Sequence, residues 1–265
     1  MIPKIIHYCW FGGNPLPDEL QAYIDTWRRF CPDYEIRLWD EKSFNVNIHP
    51  FTRTAYVQNK FAYVSDYVRA YALYEYGGIY LDTDVEIKES LDVFLSHEAF
   101  TGFEKKGSPF TALWGAIPKH SLSKKILEYY EGREYLLSQE TNTKSVSETL
   151  ISDFGINPNE NLLQFGSDGI NSIAIYPAEY FCLDLRPNYA THHFYGSWLS
   201  HEKRTFKESL HTQYYLEKAI YKEDKLNFST LKSMSKLLTF KDICKVFFCR
   251  VYYVIYSFFM RNKWF

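Results

Sequence analysis

A chain of 265 residues buries one sizeable core, so a single α/β domain with appendages and one active site is expected rather than two independent domains. The five cysteines, Cys9, Cys31, Cys182, Cys244 and Cys249, are odd in number and lack the paired CxxC spacing of a zinc or dithiol redox site, which fits a reducing cytoplasm. The net charge of -2 hides an asymmetry: residues 225–265 hold eight Lys/Arg and one acid, Asp242, whereas residues 1–224 hold 22 basic and 31 acidic residues.

In chain order, Pro3 to Cys9 reads as a buried strand that begins with no signal-peptide features, so export is not expected. A Trp10-Phe11-Gly12-Gly13 loop and a proline turn lead into a helix near Pro17 to Phe30. Strand, glycine loop and helix open many nucleotide-binding α/β folds. Tyr34 to Trp39 is a second strand, and Phe61 to Tyr76 is a long apolar helix stopped by Gly77-Gly78. A short strand, Ile79 to Leu81, delivers Asp82-Thr83-Asp84, and Val85 to Ile87 follows as another strand-like stretch. Further strands are expected at Ala99 to Phe103, Thr111 to Ile117 and Ile173 to Tyr176, and helices at Ser121 to Glu131 and Ser145 to Phe154. Thr191 to Trp198 reads as an ordered loop dense in polar aromatics.

Asp82 and Asp84 carry the chemistry. Two aspartates one residue apart on extended chain face the same side and can share one cation. Mg²⁺ and Mn²⁺ take one or two protein carboxylates and complete their shell with phosphate oxygens and water, which suits a nucleoside diphosphate. The bland alternative for a bare D-x-D triplet is a solvated strand end. Here an apolar strand pushes both acids out at its tip, behind two glycines.

Residues 60–87, KFAYVSDYVRAYALYEYGGIYLDTDVEI, and the opening IPKIIHYCWFGG, residues 2–13, resemble glycosyltransferase family 32, and with 191–198 the resemblance runs from residue 2 to about 200. The family includes capsular polysaccharide transferases and yeast mannosyltransferases and is related to the catalytic domain of large clostridial glucosylating toxins. The resemblance implies a GT-A fold, an α/β sandwich whose sheet is mostly parallel with one reversed strand. It implies a retaining hexosyltransferase using Mn²⁺ or Mg²⁺, with UDP-sugar favoured as donor, GDP-sugar possible, and a glycan or lipid-linked saccharide as acceptor in bacterial capsular or surface polysaccharide synthesis.

The same resemblance assigns roles. Trp10 would stack on the donor base, and Asp66 and Arg69 match the D-x-x-R whose acid meets sugar hydroxyls and whose arginine meets sugar or phosphate oxygens. Read without the family, Trp10 is a core tryptophan and Asp66/Arg69 an i,i+3 ion pair in an apolar helix. Tyr80 either touches ribose or sugar or packs in the core. Asp84 is the main metal ligand, while Asp82 reaches the ribose, or the metal through water. His193 is favoured over His192 as a third ligand. Ser197 and Trp198 would donate to phosphate oxygens from a late loop that closes over the donor.

From Asn227 onward Lys-dotted apolar runs dominate, and the boundary of the catalytic body is placed near residue 225. Residues 251–260, VYYVIYSFFM, are too few to span a bilayer and are flanked or interrupted by Lys245, Arg250, Arg261 and Lys263. A helix lying on an anionic membrane surface explains both features, giving a cytoplasmic protein peripheral on the inner face of the membrane; the alternative is a helix packed on protein. Nucleic acid is not expected as a partner. Two competing functions also fit a paired-aspartate protein: a metal-dependent phosphohydrolase, and a non-catalytic glycan-binding scaffold derived from an enzyme.

Overall fold

The computed structural model describes residues 1–184 and 186–195, with isolated positions at 240, 244, 247, 248 and 251. The chain divides into two compact units, Met1–Trp198 and Leu199–Phe265, and the fold below is that of the first. Ser197, Trp198 and the boundary and tail expected around 225–265 lie outside the described residues, the isolated positions aside. Among the described residues no helix is long and apolar enough to cross a membrane.

Seven strands form one sheet. In chain order the elements are β1 (Ile5–Cys9), α1 (Asp18–Phe30), β2 (Glu35–Trp39), α2 (Pro50–Val57), α3 (Phe61–Tyr76), β3 (Gly78–Leu81), β4 (Val85–Ile87), β5 (Ala99–Gly102), β6 (Leu113–Ala116), α4 (Ser121–Tyr130), α5 (Asn142–Ser152), β7 (Gln164–Ser167), β8 (Ser172–Tyr176), α6 (Ala178–Phe181) and β9 (Ala190–His192). The sheet order is β2-β1-β3-β6-β5-β8-β7, and β4 and β9 pair separately. The expected mixed α/β sandwich is therefore observed. Two strands run backwards rather than one: β6 is antiparallel to both β3 and β5, and β7 is antiparallel to β8 at the edge. The carboxyl ends of β1, β2, β3, β5 and β8 consequently share one edge of the sheet, the edge where open α/β folds bind ligands.

Local sequence explains the elements around that edge. Helix α1 opens with Asp18 and Glu19 and ends with Arg28 and Arg29, matching its macrodipole, and buries Leu20, Ile24 and Trp27 at i, i+4 and i+7. The Trp27 indole donates to the Val85 carbonyl at 2.7 Å, tying α1 to β4. Ile79 and Leu81 of β3 join Leu113, Phe100 and Ile24 and Trp27 of α1 in the main core. By the alternation of a strand, Tyr80 faces the other way, where the Arg69 guanidinium of α3 lies 4.6 Å over its ring.

The join between α3 and β3 needs glycine. Gly77 and Gly78 take φ of 65° and 104°, and a Cβ on Gly78 would sit 2.6 Å from the Ile5 carbonyl oxygen of β1. His7, fully buried on β1, donates from Nε2 to the Gly77 carbonyl at 2.8 Å and accepts from the Trp39 indole at Nδ1, 3.1 Å away. Burial holds this imidazole neutral, lowering its pKa to about 4.

Candidate active site

Strand β3 ends at Leu81, and its pairing continues for one more residue, with the Asp82 N–H donating to the Ala112 carbonyl at 3.0 Å. The chain then turns. The Val85 N–H donates back to the Asp82 carbonyl at 3.1 Å, so a turn rather than an extended run brings Asp82 and Asp84 together. The triplet thus converges as expected, by a different geometry.

Strand β9 completes the cluster. Its antiparallel register with β4 sets His192 opposite Val85, and the His193 N–H donates to the Asp84 carbonyl at 2.9 Å. The His192 Nε2 lies 3.4 Å from Asp84 Oδ1, and the Tyr195 N–H donates to Asp84 Oδ2 at 2.8 Å. One ligand atom each from Asp82, Asp84 and His192 lies within 4.8 Å of the others. The expectation for His193 is corrected here. Its Nε2 meets Glu86 Oε2 at 2.9 Å and its ring stacks on Tyr23 at 4.3 Å, because neighbours on an extended segment point to opposite sides and His193 falls on the α1 side.

Burial works against the charge on Asp84, but the facing His192 and the Tyr195 N–H outweigh it and hold its pKa below the usual carboxylate range. Burial likewise works against a charged His192, and the Asp84 carboxylate overcomes it, raising the imidazole well above its ordinary value. The Cys182 thiol lies against the same imidazole and adds to the rise.

Behind this cluster Arg69 joins two carboxylates. Its Nη2 lies 3.0 Å from Asp66 Oδ1 and 3.2 Å from Asp82 Oδ1. The Tyr80 hydroxyl donates to Asp82 Oδ1 at 3.1 Å. Asp66 and Arg69 are therefore an i,i+3 ion pair and part of the site at once. Tyr80 is 2% exposed and holds Asp82, which places it in the core with its hydroxyl at the site. Burial pushes the Asp66 carboxyl up to about 7, with Arg69 opposing and Asp82 adding to the rise. Burial would lower Arg69, but Asp82, Tyr80 and Asp66 keep it above its ordinary value.

Trp10 stands at the carboxyl end of β1, beside β3. Its ring is partly exposed, its indole donates to the Asn14 carbonyl at 2.7 Å, and its own N–H bonds the Trp39 carbonyl at 2.9 Å. The following glycine is clamped by Glu41, which accepts from the Gly12 N–H at 2.6 Å.

Glu104 is a residue that sequence reading passed over. It follows β5 on the same edge of the sheet, its carbonyl accepts from the Cys182 thiol at 3.6 Å, and the Cys182 carbonyl accepts from the His192 N–H at 3.0 Å. Burial raises its carboxyl, against the opposing charges of His192 and Lys105. No local signal marks it, since its place depends on a loop packing against residues almost eighty positions later.

Comparison with known proteins bears on this site. The inositol phosphoceramide mannosyltransferase 3 of Schizosaccharomyces pombe is 31% identical over 140 residues, 51% of this chain, and the chain spans only 35% of that protein's length. The uncharacterized glycosyltransferase L373 of Acanthamoeba polyphaga mimivirus is 27% identical over 219 residues, 77% of this chain and 86% of that protein. Among solved structures, the PaToxG glycosyltransferase aligns with a TM-score of 0.44 and 17% identity, over 57% of this chain and 68% of that one. Residues 17–101, which contain Asp66, Arg69, Asp82 and Asp84, match the family described as the glycosyltransferase sugar-binding region containing DXD motif.

Proposed function

We propose that this chain is a metal-dependent, retaining glycosyltransferase that takes a hexose from a nucleoside diphosphate, UDP before GDP, and passes it to a saccharide or lipid-linked saccharide. The observation that carries the reading is the convergence of Asp82 and Asp84, both inside the matched DXD region, with His192 at the carboxyl edge of the sheet. The S. pombe relative, named as a mannosyltransferase of inositol phosphoceramide, supports a hexosyl donor and a lipid-borne acceptor.

The donor set fits a hard or borderline divalent cation: two carboxylates and an imidazole. Asp84, Asp82 and His192 would hold it, and the imidazole favours Mn²⁺ over Mg²⁺. When bound, such an ion neutralises the charge that develops on a leaving diphosphate.

The protein's own groups do the positioning. Arg69 and Tyr80 fix Asp82, and the Tyr195 N–H fixes Asp84, so neither carboxylate needs to reorganise when ligand arrives. Asp66, with its carboxyl lifted to about 7, would exchange hydrogen bonds with sugar hydroxyls. Trp10 would offer its partly exposed ring to a flat base. The expected Ser197 and Trp198 contacts to phosphate belong to this proposal as well. So does membrane association of residues 225–265; pelleting with neutral vesicles as readily as with anionic ones would refute it.

The test is a thermal-shift series with UDP, GDP and their sugars, each with and without Mn²⁺, on wild type and Asp84→Ala. A ligand that binds only the folded state at about 100 times its Kd adds roughly 2.7 kcal/mol of stability. A Mn²⁺-dependent shift with one nucleotide, absent in the variant, is expected. No shift with any nucleotide would overturn the transferase reading in favour of a scaffold.

A further inference from the structure

Cys182 ties His192 down at two points. It is fully buried just past the end of α6, where its N–H donates to the Ala178 carbonyl at 3.0 Å. Its own carbonyl accepts from the His192 N–H at 3.0 Å, which joins α6 to β9. The thiol then meets the side chain of the same histidine. A hydrogen bond links the Cys182 sulfur to the His192 imidazole, the Thr111 hydroxyl makes another, and the Glu104 carbonyl oxygen lies 3.6 Å from the sulfur.

The direction of these bonds follows from which atoms carry protons. A carbonyl oxygen only accepts, so the one thiol proton belongs to Glu104. The sulfur is left as an acceptor, and what it accepts from the imidazole is an N–H. His192 Nε2 faces Asp84 Oδ1 at 3.4 Å, which leaves Nδ1 to make the bond to sulfur. A neutral imidazole carries one proton. With that proton held at Nδ1, the lone pair is at Nε2, on the side of Asp82 and Asp84. Thr111 braces the arrangement, because the next residue, Ala112, accepts from the Asp82 N–H at 3.0 Å. One short segment thus holds both the sulfur and the first aspartate.

We infer that Cys182 is a positioning residue that fixes His192 in its Nδ1–H form and aims the Nε2 lone pair at a divalent cation shared with Asp82 and Asp84. The inference rests on the metal reading above and adds the residue that makes this imidazole a ligand. A histidine that holds a metal donates its other ring N–H to an acceptor, and loss of that acceptor lowers metal affinity about 10- to 100-fold. Sulfur is a weak acceptor, so the lower end of that range applies here.

The experiment is Mn²⁺ titration of the full chain followed by electron paramagnetic resonance, with the ¹⁴N spin-echo modulation of the bound ion, on wild type, Cys182→Ala and Cys182→Ser. Wild type is expected to show a coordinated imidazole nitrogen. Cys182→Ala is expected to bind Mn²⁺ about tenfold more weakly and to lose most of the nitrogen modulation, while Cys182→Ser, whose hydroxyl still accepts, stays within about threefold and keeps it. Unchanged affinity and modulation in Cys182→Ala would overturn the inference even if stability falls, since that is the result for a residue that only packs. Equal losses in the alanine and serine variants would overturn it too. If Cys182→Ala does not fold, Cys182→Val, which fills the thiol's space without an acceptor, is held to the same expectation. Wild type that binds Mn²⁺ without nitrogen modulation would overturn the inference and leave the two carboxylates as the metal site. Wild type that binds no Mn²⁺ would refute the metal reading itself.

Discussion

The imidazole of His192 lies 3.4 Å from the Asp84 carboxylate, while its neighbour His193 turns to Glu86 at 2.9 Å. The two histidines therefore have separable roles. His192→Ala removes the one imidazole among the described residues that faces the aspartate pair, and about a tenfold or greater loss of Mn²⁺ affinity is expected. His193→Ala removes the stack on Tyr23 and the Glu86 contact, which tie β9 to α1 and β4, so it is expected to cost about 1 kcal/mol of stability and spare Mn²⁺ binding. Manganese titration followed by electron paramagnetic resonance reads the first effect and urea melts the second. The reverse pattern would remove His192 from the site.

Arg69 supplies the second prediction. It is 9% exposed along its side chain and neutralises two carboxylates, Asp66 on α3 and Asp82 at the tip of β3. Removing one partner of a buried ionic group leaves uncompensated charge, which costs about 3–5 kcal/mol. Arg69→Ala is therefore expected to lose about that much in urea melts at pH 8. At pH 5 the loss is smaller, because Asp66, already lifted to about 7, takes up a proton instead. Arg69→Lys is expected to fall between, since it keeps the charge but not the position of the Nη2 that meets both oxygens. A loss under about 1 kcal/mol for Arg69→Ala at pH 8 would show that the bridge contributes little.

These two predictions also mark what the sequence makes legible. Helix α3, the Gly77-Gly78 join and β3 are contiguous, and each signal in them is local: an apolar run, two glycines at positive φ, and two acids at a strand tip. Asp66, Arg69, Tyr80 and Asp82 meet because that one stretch folds back on itself. His192 cannot be placed in the same way. It depends on a three-residue strand pairing with β4 more than a hundred positions earlier, which is too short for an alternating pattern to show. Helix α2 and edge strand β7 were likewise not expected, the one for being only two turns long and the other for leaving Phe165 exposed. Asn142 falls just ahead of the expected helix at Ser145 to Phe154, so its burial is visible only once α4 is set against α5.

His7 gives a pH prediction with a definite sign. Its imidazole is neutral in the fold, donating to Gly77 and accepting from the Trp39 indole; protonation would set an N–H against that indole N–H. The folded value of about 4 lies below the unfolded 6.5, so the unfolded chain binds the extra proton first. The contribution is fully present above about pH 6.5 and is lost as pH falls towards 4, on the order of 3 kcal/mol at most. Asp66 runs the other way over much of the same range. Its folded value of about 7 exceeds the unfolded 3.8, so its contribution is present at low pH and lost as pH rises through 7. The whole-protein profile mixes the two, and a substitution separates them. Urea melts of wild type and His7→Gln at half-unit steps from pH 4.5 to 8 are expected to show the wild-type advantage growing with pH up to about 6.5 and then levelling off. A difference that stays flat across the range would mean that His7 is not held neutral against Gly77 and Trp39.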